Sequence, residues 1–135
     1  MGAWGPGVLD NDGAIDFLDD LADADLGERA ALIRRALQVA VDSDDYLELY
    51  EAEAAIAAAA AVAAARLGQD LADGDGDTVL AAADLPSAED DVRALAVKAL
   101  DRVTGADSEW RELWEDTDEL GTALSSIADV RSALI

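Results

Sequence analysis

The sequence predicts an all-α fold, a single-domain bundle of five or six helices around a central alanine-rich helix. Apolar residues recur at helical spacing along most of the chain, and no segment alternates apolar and polar residues as a half-buried strand does. Residues 54–65 are apolar almost all round, which is typical of a helix in the middle of a bundle. The 135 residues are enough for one domain with one core.

Residues 1–12, MGAWGPGVLDND, predict an irregular strap ahead of the first helix. Its glycines allow the chain to fold back, and its proline stiffens the turn. We expect Trp4 and Leu9 to anchor the strap on a core that offers mainly small side chains. Asn11 and Asp12 are both helix-capping residue types, so the first helix is expected to begin after this pair.

The first helix is predicted to be amphipathic. Its apolar side comprises Ala14, Ile15, Phe17, Leu18, Leu21 and Ala22. Its opposite side is acidic and comprises Asp12, Asp16, Asp19, Asp20 and Asp23. Like charges four residues apart on a helix cost about 0.2–0.5 kcal/mol per pair. The acidic side is therefore either a solvated surface or a contact for a basic partner.

Two further helices are predicted before the middle of the chain. The second covers about residues 27–41, with an apolar face formed by Leu32, Ile33, Ala36, Leu37, Val39 and Ala40. The third covers about residues 46–67 and is the proposed central helix, capped by Ser43 or a neighbouring aspartate. In a core so poor in aromatic residues, we expect Tyr46 and Tyr50 to be buried.

Residues 68–86 are predicted to form an acidic Gly/Asp loop, with a short turn of helix near its end. Its DGDGD stretch places carboxylates at positions 1, 3, 5 and 12 of a calcium loop, namely Asp73, Asp75, Asp77 and Asp84. Thr78 occupies the position that requires glycine for the sharp turn, and position 12 is aspartate where calcium loops use glutamate. A plain acidic loop is therefore favoured over a metal site.

Three helices are predicted in the last third of the chain. Ser87 and Asp90 stand at capping-box spacing ahead of a helix that buries Val92, Leu95, Ala96, Ala99, Leu100 and Val103. Asp107 or Ser108 caps a short helix whose core-filling residues are Trp110 and Trp114. The final helix carries Leu120, Leu124, Ile127, Val130 and Leu134 on one side.

Charge and composition narrow the function. Thirty-one Asp and Glu against nine Lys and Arg give a net charge of −22, which disfavours direct binding to nucleic acid or to an anionic membrane. With no cysteine and no histidine, the chain lacks a thiolate nucleophile, an imidazole base and zinc-type ligands. No phosphate-binding glycine motif is present. We therefore expect a protein that is not an enzyme and has no cofactor.

The expected location is the cytoplasm. The start has no basic segment followed by an apolar run, as a secretion signal would, and the alanine-rich stretch is too short and weakly apolar to span a bilayer. A monomer is the default oligomeric state.

The residues Trp4, Gly5, Gly7, Asn11, Asp12, Ala14 and Asp16 form a signature. The chain resembles a family of uncharacterised bacterial proteins, a domain of unknown function common in actinobacteria, whose members begin MGxWGxGxFxNDxAxD. Leu9 stands where that family usually has phenylalanine. The segment LDRVTGADSEWRELWED is also similar to the C-terminal part of the family. The resemblance implies an actinobacterial source and brings no established activity.

Two functions are compatible with these features. The first is a small non-enzymatic protein-interaction module, of immunity or inhibitor type, that binds a basic partner through the five aspartates of the first helix. The alternative is a protein that binds divalent cations (calcium or magnesium) through the acidic loop or the aspartate stripe. Calorimetric titration with both metals separates them, because the absence of heat at millimolar metal removes the alternative.

Overall fold

Six α-helices dominate the computed structural model, which describes residues 9, 11–72 and 77–135. The helices are α1 (Asp12–Asp23), α2 (Leu26–Val41), α3 (Leu49–Leu67), α4 (Asp90–Thr104), α5 (Glu109–Glu115) and α6 (Leu120–Leu134). Two short strands, β1 (Leu71–Ala72) and β2 (Thr78–Leu80), and a 3-10 turn (Ala82–Asp84) lie between α3 and α4. The predicted all-α bundle is confirmed.

The central position of α3 follows from its composition. Every residue from Ala55 to Val62 is buried, and α3 packs against α1, α2, α4 and α6. Alanine side chains are short, so the four surrounding helices approach closely on all sides. Gly68 ends the helix in the left-handed conformation, with φ 67°, which glycine adopts without a steric penalty.

The antiparallel pair β1–β2 was not predicted from the sequence. Leu71 pairs with Leu80, and both side chains are buried. Strands of two and three residues are too short to show an alternation of apolar and polar residues. The sequence pattern therefore predicts a loop on both sides of the Gly/Asp stretch.

Helix α3 begins later than the periodicity predicts, because the backbone of Leu47 is extended and pairs with another segment of the chain. Leu47 and Ser108 form a parallel bridge. The Leu47 N–H donates to the Asp107 carbonyl at 2.8 Å, and the Leu47 carbonyl accepts from the Glu109 N–H at 2.9 Å. The residue that precedes α3 is then Glu48, not Ser43 or an aspartate, and its side chain makes no capping hydrogen bond.

The helix starts differ in how their first N–H groups are satisfied. Asp25 caps α2 by accepting from the Glu28 N–H at 2.9 Å, and Ser108 accepts from the Arg111 N–H at the start of α5. The predicted Ser87–Asp90 capping box is wrong, since α4 begins at Asp90 itself and no side chain caps it. Two aspartates in the first turn of α4 complement the positive end of that helix instead.

The large apolar residues fill the core around α3. Leu9, Trp110 and Trp114 are buried, and Trp4 lies outside the described residues. Ile15 and Val39, which the periodicity assigns to buried faces, are exposed because they sit at the edges of those faces. A search of the described ranges finds no helix with the length and apolar character needed to cross a membrane.

Candidate interaction surface

The orientation of α1 is fixed at its first residues. Asn11 is buried, and its side-chain oxygen accepts from the Ala14 N–H at 2.7 Å, which caps the helix. From there one side of α1 packs on α3 through buried residues, which are Gly13, Ala14, Phe17, Leu18 and Leu21. The opposite side of α1 therefore faces solvent.

Five carboxylates occupy that solvent-facing side, and we call them the α1 acidic face. They are Asp12, Asp16, Asp19, Asp20 and Asp23. All five are exposed in the structure. The arrangement has the one-sided character that the sequence predicts, although exposure alone does not assign it a partner.

The ion pairs of the bundle lie away from this face. Within the described ranges, the ion pairs are Arg34–Asp91 at 2.8 Å, Arg93–Asp90, Arg111–Glu115 at 2.9 Å and Arg131–Asp101 at 3.2 Å. They involve α2, α4, α5 and α6, and none of them involves a residue of α1. The α1 acidic face thus carries five negative charges that no described arginine or lysine neutralises by an ion pair.

Arg29 lies close to the end of α1 but binds its backbone. Its guanidinium donates to the carbonyl oxygens of Leu21 at 3.0 Å and Ala22 at 3.3 Å, and to the carbonyl of Asp84 at 3.2 Å. A cation at the C-terminal end of a helix stabilises the partial negative charge there. Arg29 therefore stabilises α1 and holds the segment before α4, without pairing with the aspartate side chains.

The two tyrosines are exposed, so the prediction that they are buried is wrong. Tyr50 is 55% exposed, and its hydroxyl donates a hydrogen bond to the Asp16 Oδ2 at 2.8 Å. The aspartate, the partial burial of the ring and nearby negative charges raise the pKa of Tyr50. Tyr46 is 46% exposed, and its hydrogen bond to Glu112 is the main cause that raises its pKa to about 12. Each ring thus stands at the surface beside a carboxylate.

Glu53 is a buried ionisable residue that the sequence analysis did not single out. It lies in α3 and is only 2% exposed. Its Oε1 accepts from the Gly13 N–H at 3.2 Å, whereas Oε2 has no hydrogen-bond partner among the residues that the structure describes. Helical periodicity does predict that Glu53 is buried. It lies four residues after Leu49 and three before Ile56, which places it on an apolar side of α3.

The surroundings of Glu53 favour its neutral form. The pKa of Glu53 is raised from 4.5 to about 7, and burial is the main cause. The hydrogen bond from the Gly13 N–H acts in the opposite direction, and the charges of Asp12 and Glu109 add to the effect of burial. Glu109 is itself placed by its hydrogen bond to the Leu49 N–H at 2.9 Å. The buried Glu53 carboxyl group thus links α3 to the start of α1 through the Gly13 N–H.

The acidic loop is only partly within the described ranges. Asp77 and Asp84 are exposed, and Asp73 and Asp75 lie outside those ranges. In the part of the chain that the structure describes, no group of three or more acidic side chains is arranged to hold a metal ion. The cation-binding alternative stays a prediction of the sequence.

The uncompensated charge has a consequence for stability. At −22 the folded chain repels itself, and salt screens exposed charges over about 10 Å at 0.1 M. We expect the melting temperature to rise by about 4 °C for each kcal/mol that screening restores. Thermal unfolding followed by circular dichroism, at low and then at high concentrations of sodium chloride, measures this. A melting temperature that does not change with salt would contradict it.

The protein is an acidic all-α domain whose first helix carries a row of exposed aspartates without ion pairs to the described arginines and lysines. The chain belongs to the family described as a domain of unknown function, DUF4259, which it matches over residues 2–126. Membership of such a family is what the sequence resemblance indicated. Neither a curated protein nor a solved structure matches the chain.

Proposed function

We propose that this domain is a small non-enzymatic protein-interaction module, of immunity or inhibitor type, that binds a basic protein through the α1 acidic face. An actinobacterial source and a cytoplasmic location are part of the same proposal. The observation that carries it is the distribution of charge. The described ion pairs all lie on other helices, while α1 presents five exposed aspartates with none.

A basic partner would reduce the repulsion between the aspartates of α1. Asp12, Asp16 and Asp20 follow one another at four-residue spacing, as do Asp19 and Asp23, and each such pair is repulsive. Lysine or arginine side chains of a partner would remove that repulsion and would steer the encounter. Because these carboxylates are exposed, we expect the association rate to respond more strongly to salt than the dissociation rate does.

The test compares two variants with the same net charge. In the first, Asp16, Asp19, Asp20 and Asp23 are replaced by asparagine. Asp12 is kept because a carboxylate in the first turn stabilises the helix. In the control, four exposed aspartates elsewhere are replaced by asparagine, namely Asp44, Asp116, Asp118 and Asp129. Circular dichroism verifies that both variants are folded.

Each protein is immobilised and exposed to lysate of the source organism at low salt, and the retained proteins are identified after elution with salt. We expect the natural chain and the control to retain the same basic protein, and the α1 variant to lose it by at least tenfold. Equal loss from both variants would show an effect of net charge alone. That result, or a partner retained at high salt by all three proteins, would overturn the proposal.

A further inference from the structure

A groove open to solvent lies beside the α1 acidic face, where α1, α2 and α3 meet. Its volume is about 220 Å³. Its lining is mostly apolar, and beside two charged residues it contains Phe17, Leu32, Ala36, Val39, Tyr50 and Ala54. Val39 and Tyr50 are the exposed members of this set, at 39% and 55%. We call it the Tyr50 groove.

The size of the Tyr50 groove limits what it can hold. Pockets that bind cofactors and drug-sized ligands span about 300–1,000 Å³. A smaller apolar groove suits a single large side chain, and exposed apolar surface gains free energy when such a side chain covers it. Exposed aromatic residues are also the type most often found at the energetic centre of protein interfaces.

The charged side chains around the groove indicate that its occupant is positively charged. Asp16 holds the Tyr50 hydroxyl at 2.8 Å, and Asp20 on the next turn of α1 is close enough for its charge to act on the same hydroxyl. Glu51 lines the groove from α3, and Arg35 is the cationic residue in its lining. Carboxylates therefore outnumber cations around the opening. A second copy of this chain is a poor occupant, since it too carries a net charge of −22.

We propose that the Tyr50 groove receives one aromatic side chain of a basic protein segment, whose flanking lysines or arginines contact Asp16 and Asp20. The inference rests on the proposed function and adds to it the chemistry of the partner. The α1 acidic face attracts the segment through charge, and the groove selects it through the apolar side chain. Specificity for one basic protein among many would come from the second step.

The probes are three labelled peptides that differ at few positions. The first is rich in lysine with one central tryptophan, the second has alanine in place of that tryptophan, and the third keeps the tryptophan but has serine in place of the lysines. Binding to the full chain is measured by fluorescence polarisation at low ionic strength. We expect the first peptide to bind about tenfold more tightly than the second, and the third to bind far more weakly.

Variants of the groove and of the α1 acidic face show which surface binds the tryptophan and which binds the lysines. Val39→Gln and Tyr50→Ala keep the net charge, and we expect each to reduce the tenfold preference to less than threefold while the affinity for the alanine peptide stays the same. Leu67→Gln is the matched control, because Leu67 is an exposed apolar residue about 25 Å along α3 from Tyr50. It should keep the full preference. The Asp16→Asn, Asp20→Asn double variant should weaken both lysine peptides.

The outcomes separate the two proposals. If both lysine peptides bind equally and both weaken in the double aspartate variant, the groove is overturned and the α1 acidic face stands. If the preference survives Val39→Gln and Tyr50→Ala, the tryptophan binds elsewhere and the groove is also overturned. Tight binding of the serine peptide overturns the basic character of the occupant. If no peptide responds to the aspartate substitutions, the proposed function fails.

Discussion

Replacement of Gly13 by alanine is expected to destabilise the fold by about 2–3 kcal/mol. A Cβ atom at this position would lie 2.7 Å from the Cβ of Glu53, 2.8 Å from its Oε1 and 3.1 Å from the Tyr50 carbonyl oxygen. Two of these three atoms cannot move away by rotating a side chain. The added methyl group must therefore separate α1 from α3, which also weakens the hydrogen bond from the Gly13 N–H to Glu53.

The chain supplies two matched controls for this substitution. Gly27 and Gly121 are, like Gly13, the second residue of their helices. A Cβ at Gly27 would meet its nearest atom at 3.7 Å, and a Cβ at Gly121 would meet nothing within 4 Å. In those positions alanine should be neutral or stabilise by up to about 1 kcal/mol, because it has the higher helix propensity.

Urea denaturation followed by circular dichroism measures all three variants under the same conditions. Loss of stability in Gly13→Ala alone would establish that α1 needs this close approach to α3. A Gly13→Ala variant as stable as the other two would contradict the packing of α1 described here. A similar loss in all three would indicate a general effect of alanine near the helix starts.

The sequence predicts the parts of this fold that depend on local pattern. Helical periodicity assigned the six helices, the all-round apolar character of α3 placed it at the centre, and an asparagine before an amphipathic stretch indicated the start of α1. The same pattern separated the acidic side of α1 from its packed side. Each of these features is determined within a few turns of one helix, and that is the range over which periodicity carries information.

Features that depend on contacts between distant segments were not predictable in this way. The bridge between Leu47 and Ser108 delays the start of α3, and no local signal in either segment announces it. Tyr50 is exposed, and its hydroxyl donates a hydrogen bond to Asp16, which lies on another helix. The Tyr50 groove arises from the positions of three helices, so only the tertiary structure shows it.

Replacement of Glu53 by glutamine is expected to remove a pH dependence from the stability of the fold. The pKa of Glu53 is raised from 4.5 to about 7, chiefly by burial. The folded state therefore binds a proton more tightly than the unfolded state does. The contribution of Glu53 to the free energy of unfolding is therefore most favourable below about pH 4.5. It falls as the pH rises to about 7 and stays at its lower value above that. The shift corresponds to about 3 kcal/mol.

Glutamine is suited to this test because it keeps the shape of the side chain. Its amide oxygen can accept from the Gly13 N–H as Oε1 does. Its amide nitrogen would occupy the place of Oε2, which has no hydrogen-bond partner in the described part of the chain. The protonated carboxyl group has the same unsatisfied position, so glutamine and neutral Glu53 should be almost equally stable. The difference between the two proteins then reports the cost of the buried charge.

Urea denaturation of both proteins at about pH 5 and about pH 8 measures that difference. We expect Glu53→Gln to be within about 1 kcal/mol of the natural chain at the lower pH and about 2–3 kcal/mol more stable at the higher pH. Glu51→Gln is the control, since it removes a carboxyl group from a partly exposed position of the same helix. The difference between Glu53→Gln and the natural chain should change with pH by more than the difference for Glu51→Gln does. A Glu53→Gln difference that is constant, or that grows as the pH falls, would contradict a buried carboxyl group that is neutral when the domain is most stable.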